Sequence, residues 1–192
     1  MKPKLLLPAI FLAIVSCAQN NNKNVKPPKN IFDIKAAKIV FNYTGGPETG
    51  TETLYFDDYG NTAVLVVNKK NAFGPVNQTI TWKDKKGQII DHTKKTVSKS
   101  FFRAKATEPP GIADIDDKTK NNIGYEKLAD ATIAGKACHV WFNKKLNIKY
   151  FLWNKLDLKL ENQGVYTKEA TSAEVITEIP ASLMEIPKDY KQ

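Results

Sequence analysis

Arginine is almost absent from this basic chain: Arg103 is the only one among 29 basic residues, in a protein of formal charge +9. Base and phosphate recognition leans on bidentate arginine forks, which a lysine ammonium cannot supply. The charge excess therefore argues against a nucleic-acid partner. Its densest part, Lys83 to Lys105 with eight basic residues against two acids, reads as a solvated lysine-rich face or a contact with anionic lipid. Histidine is nearly as scarce, with only His92 and His139. No serine or threonine stands in a nucleophile-elbow setting, and neither a phosphate loop nor a cluster of metal ligands occurs, so no enzyme, cofactor or metal is expected. Asp91-His92 is a pair by sequence alone.

Cysteine is limited to Cys17 and Cys138. If Cys17 carries lipid, no intramolecular disulfide remains, and stability comes from the core alone. Cys138-His139 does not make a nucleophilic dyad, because neighbours on a strand point to opposite faces; Cys138 reads as a small, buried, reduced side chain. Long apolar runs are missing as well. Leu5 to Val15, eleven residues interrupted by Pro8, falls short of the roughly 20 needed to span a bilayer, and Lys2 and Lys4 precede it. That is a secretory signal.

The run ends in Ile14-Val15-Ser16-Cys17, which resembles the lipobox of bacterial lipoproteins. The resemblance implies cleavage between Ser16 and Cys17 and acylation of Cys17; ordinary signal cleavage after Ala18, releasing a soluble protein, is the alternative. Two or more acyl chains would make membrane residence the default. Ala18 stands where Asp would imply inner-membrane retention, and no acidic run follows Cys17, so the resemblance implies an outer-membrane lipoprotein facing the periplasm. The expected organisation is a signal peptide over 1–16, a lipidated flexible tether over 17–30, and one domain over 31–192. The tether, AQNNNKNVKPPKN after Cys17, is too polar to fold. The mature chain of about 175 residues suits one domain with a substantial core, and losing Lys2 and Lys4 leaves a charge of +7.

Period-two alternation dominates that domain. It marks strands at Lys38 to Tyr43, Thr51 to Phe56, Thr62 to Asn68, Gln78 to Trp82, Gln88 to Asp91 and Thr96 to Phe102. Between Gly135 and Ala170 it marks three or four more, with turns at Asn143 to Asn147, Asn154-Lys155 and Asn162-Gln163-Gly164. Leu156, Leu158 and Leu160 alternate strictly with Asp157, Lys159 and Glu161, which puts the leucines inside and the charges outside. Thr107 to Asp130 breaks the rhythm: Ile112, Ile115, Thr119 and Ile123 fall near helical spacing and predict one or two short helices. Asp114, Asp116 and Asp117 do not form a calcium loop, since Thr119 and Tyr125 occupy the positions that need Gly and Glu. Acids in the first turn of a helix account for them.

Four blocks, Lys38 to Tyr43, Gly50 to Gly60, Ala134 to Trp141 and Phe151 to Glu161, with the closing Ile179-Pro180 and Glu185 to Tyr190, carry a family resemblance. They resemble a group of exported Gram-negative lipoproteins of unknown function with a domain like the lipoprotein carriers LolA and LolB. The similarity covers most of residues 34–190 and departs at Leu156-Asp157-Leu158, where the group commonly has Gly-Ile-Pro. It implies a mainly β fold (α+β), a curved antiparallel sheet or incomplete barrel lidded by one or two short helices, able to hold acyl chains. On that fold the expected apolar ligand cavity comprises Ile39, Phe41, Leu54, Phe56, Leu156, Leu158 and Leu160. Two functions follow: a membrane-anchored periplasmic lipoprotein that binds a lipid or acyl chain, or a non-catalytic structural or interaction module of the envelope with a solid core and a protein partner. A monomer is expected in either case.

Overall fold

The computed structural model describes residues 30–100 and 111–191. The signal segment, Cys17, the tether up to residue 29 and Arg103 lie outside the described residues. Six strands come first: β1 Ala37–Thr44, β2 Thr49–Asp57, β3 Thr62–Asn71, β4 Gly74–Lys83, β5 Lys86–Asp91 and β6 Thr96–Ser100. A 3-10 turn at Ile112–Asp114 and the helix α1, Asp117–Asn122, lead into β7 Tyr125–Lys127, β8 Ala131–Ile133, β9 Lys136–Asn143, β10 Ile148–Trp153, β11 Leu156–Asn162 and β12 Tyr166–Val175. They form one curved antiparallel sheet in the order β6-β5-β4-β3-β2-β1-β12-β11-β10-β9-β7, with β8 also paired to β9.

Two meanders thus meet at the β1–β12 seam, and local turn chemistry builds each of them. Asp84-Lys85 and Asn154-Lys155 both have positive φ at their two central residues, the turn whose twist matches a two-residue hairpin. At the β2–β3 corner Gly60 takes φ 88°, and a Cβ there would stand 2.8 Å from the Phe32 ring. That corner holds the chain leading into β1: the amides of Ile31 and Phe32 both donate to the Tyr59 carbonyl, and Phe32 packs on Phe56 with ring centroids 4.5 Å apart. Asp116 caps α1 by accepting from the Thr119 amide at 2.9 Å, the role the sequence assigns to these acids. Short helices occur as expected, but the end of that segment is β7, too brief to show a period.

The main core collects the in-phase side chains Ala37, Ile39, Phe41, Leu54, Phe56, Leu65 and Val67 with Cys138, Leu156 and Leu158. A smaller cluster forms where Ile112, from the 3-10 turn, meets Trp141 and Leu152. Cys138 is buried and donates to the Lys136 carbonyl at 3.4 Å, while the side chain of His139 is 65% exposed and reaches Asp130 at 3.1 Å. The two point apart, as strand geometry requires. His92 bridges the Thr79 hydroxyl at 2.9 Å and the Tyr190 hydroxyl at 3.0 Å, tying the C-terminal segment to the sheet.

Strict alternation fails where β10 meets β11. Across the β10–β11 pair Phe151 faces Lys159 and Leu152 faces Asp157, so Leu158 is the extra residue of a β-bulge. The bulge resets the phase of β11. Leu156 and Leu158 are fully buried as expected, but Asp157 is buried with them at 4% exposure instead of lying outside.

Candidate functional site: a charged cavity in the apolar face

The inward positions of four neighbouring strands change chemistry along their length. In β1 Ile39 and Phe41 give way to Tyr43; in β2 Phe56 and Leu54 give way to Glu52. Leu65 and Val67 give way to Lys69 in β3, and Ala173 and Ala170 to Lys168 in β12. Antiparallel pairing brings these ends together, Tyr43 opposite Lys168 and Phe41 opposite Glu52. Between them lies a cavity of about 290 Å³, walled also by Pro47, Glu48, Leu65, Asp157, Leu160 and Tyr166.

Glu52 is the hub. One carboxylate oxygen accepts from the Tyr43 hydroxyl at 2.9 Å and from Lys168 Nζ at 3.2 Å; the other meets Lys69 Nζ at 2.9 Å. Lys69 also reaches Glu48 at 2.7 Å. Burial opposes the charge on Glu52, yet Lys168 and Lys69 outweigh it and hold this carboxyl below its usual range. Burial and then the Glu52 charge push the Tyr43 phenol up, so it stays a hydrogen-bond donor. The ammonium of Lys168 lies 4.4 Å from the Phe41 ring centroid and that of Lys69 lies 4.3 Å from the Tyr43 centroid. Aromatic faces thus help replace the water both cations lost.

Asp157 behaves oppositely in the same cavity. Burial pushes its carboxyl up to about 7, against the pull of Lys168 and with a smaller push from Asp114. Among the described residues its Oδ1 has no hydrogen-bond partner. A buried carboxyl oxygen lacking a donor is costly, and such groups commonly mark functional sites.

Of the seven residues expected to line an apolar cavity, Ile39, Phe41, Leu54, Phe56, Leu156 and Leu158 are fully buried in the main core. Leu160 is in the wall of the charged cavity. The alternation of β2 puts Glu52 in phase with Leu54 and Phe56, a signal legible in sequence; Asp157 carries no such signal, because only the bulge turns it inward. No group of three potential metal ligands occurs among the described residues, and no helix among them is long and apolar enough to cross a membrane.

A curved, open antiparallel sheet of twelve strands with very little helix is the architecture of the LolA and MucB type. No family model and no curated protein matches this sequence. Among solved structures the chain is similar to an uncharacterised conserved protein from Thermus thermophilus, with a TM-score of 0.53 and 6% identity over 82% of this chain and 88% of that one. It is also similar to MucB, with a TM-score of 0.51 and 11% identity over 84% of this chain; the match spans 61% of the MucB chain. Identities this low define a shared fold and leave function to the site.

Proposed function

We propose that this protein is a non-catalytic binding module of the cell envelope, anchored in the outer membrane by lipid on Cys17 and facing the periplasm, that takes a small amphiphilic ligand into the charged cavity. The observation that carries this reading is the cavity itself: Leu65 and Leu160 offer apolar wall beside buried charges and a carboxyl oxygen without a donor. Its volume of about 290 Å³ stands at the lower edge of small-molecule sites, enough for a polar head and a short apolar stem. A second reading, an interaction module with a protein partner, is favoured by the fully buried state of Ile39, Phe41, Leu54, Phe56, Leu156 and Leu158, which fill the rest of the apolar face.

Native mass spectrometry of the full chain in detergent separates the two. A bound small molecule that organic extraction removes, and that Leu160→Trp fails to retain, is expected for the binding module. A wild-type chain that carries nothing and takes up no added amphiphile leaves the interaction module. In cells, Cys17→Ser is expected to move the protein from the membrane to the soluble fraction; continued membrane residence would place the anchor elsewhere.

A further inference from the structure

The charges around the cavity do not balance. Glu48 and Glu52 are matched by Lys69 and Lys168, all four joined by contacts of 2.7 to 3.2 Å. Asp157 is the fifth charged group in the wall, and among the described residues no donor reaches its Oδ1. An anionic ligand would meet two lysines already held by carboxylates and a third carboxyl whose Oδ1 receives no hydrogen bond. A cationic ligand would meet a carboxyl oxygen that still lacks a donor. The rest of the wall sets the shape of that cation: Leu65, Leu160 and Pro47 suit an apolar stem, and Tyr43 and Tyr166 add aromatic rings beside it. At roughly 30 Å³ per water, the volume displaces about ten waters, room for a short alkyl chain rather than a long acyl one.

We infer that the cavity is a site for a primary ammonium group on a short apolar stem, with the ammonium donating to Asp157 Oδ1. This rests on the binding reading above and gives its ligand a charge. A compact ammonium has three donors, one of which Asp157 Oδ1 can accept, whereas a quaternary ammonium offers no N–H and leaves Oδ1 unpaired. The same group occurs on free alkylamines and on the ethanolamine headgroup of phospholipids, so the test uses both.

The experiment is calorimetric titration of the full chain in detergent at pH 8, where Asp157 is ionised, with hexylamine, hexanol and hexanoate as probes of equal length. Hexylamine is expected to bind at least tenfold more tightly than hexanol, with hexanoate weaker still. Asp157→Asn, of nearly the same shape, is expected to abolish that preference, and Leu160→Trp to weaken all three probes. A parallel arm compares short-chain phosphatidylethanolamine with its choline counterpart. Asp157-dependent preference for ethanolamine with no hexylamine binding assigns the ammonium to lipid; the reverse assigns it to a free amine. Binding of hexanol or hexanoate as tight as hexylamine, or a preference untouched by Asp157→Asn, overturns the ammonium site while leaving a binding cavity in place. If no probe or lipid binds wild type, or Leu160→Trp changes nothing, the cavity reading falls with it.

Discussion

The two ends of the apolar face are built by the same strands and have opposite physics. At one end Ile39, Phe41, Leu54, Phe56 and Leu158 lie in a closed core. At the other, the next in-phase positions of the same strands are Tyr43, Glu52, Lys69 and Lys168, and they leave a hollow. Filling the second end with leucine and valine would cost the fold nothing in pattern and would spare it the desolvation of three charges. Solid packing at one end and buried charge at the other therefore point to a scaffold and a site, and β11 carries both, Leu158 in the first and Leu160 in the second.

The largest expected break in this contrast comes from Glu52. Glu52→Ala removes the hub that Tyr43, Lys69 and Lys168 share, taking this carboxylate from both cations and leaving Lys69 only its contact with Glu48. A loss of about 3–5 kcal/mol is expected in chemical denaturation, comparable to truncating a core phenylalanine. A loss below about 1 kcal/mol would mean that water reaches these charges and that the cavity end is an ordinary surface.

The pH dependence sharpens the contrast within the cavity. Glu52 is held below its usual range, so the stability it contributes is present above the ordinary carboxylate pKa and is lost as pH falls through its folded value. Asp157 is pushed up to about 7, so the opposite sign holds: the folded state binds a proton that the unfolded state has released. Its contribution is full below about pH 4 and is lost as pH rises to about 7, on the order of 4 kcal/mol in all. Asp157→Asn is expected to flatten this segment of the curve and to raise stability at neutral pH. Unchanged pH dependence in that variant would place the carboxyl in contact with solvent.

Much of this architecture was legible in the sequence. Period-two alternation located β1 to β5 and β9 to β11, and the turn residues at Asn143 to Asn147 and Asn154-Lys155 were legible as well, because a half-buried strand and a tight turn each impose their residues locally. The charged lining was half legible: Glu52 continues the phase of Leu54 and Phe56, and Lys69 that of Leu65 and Val67. What was hidden is nonlocal. A perfect Leu-x-Leu-x-Leu pattern gives no sign that Leu158 will bulge against β10, and so none that Asp157 will turn in. The strands β7 and β8 are three residues each, too short for any period, and owe their form to β9.

The central claim, a packed end and a hollow end on one face, is tested most directly by placing the same large side chain at each end of β11. Leu158→Trp overpacks a closed core and is expected to lose about 1–3 kcal/mol in thermal melting. Leu160→Trp grows into about 290 Å³ of open volume and is expected to melt within about 0.5 kcal/mol of wild type. Equal losses at both positions would show that no hollow exists at Leu160; equal tolerance would show that the apolar end is hollow as well.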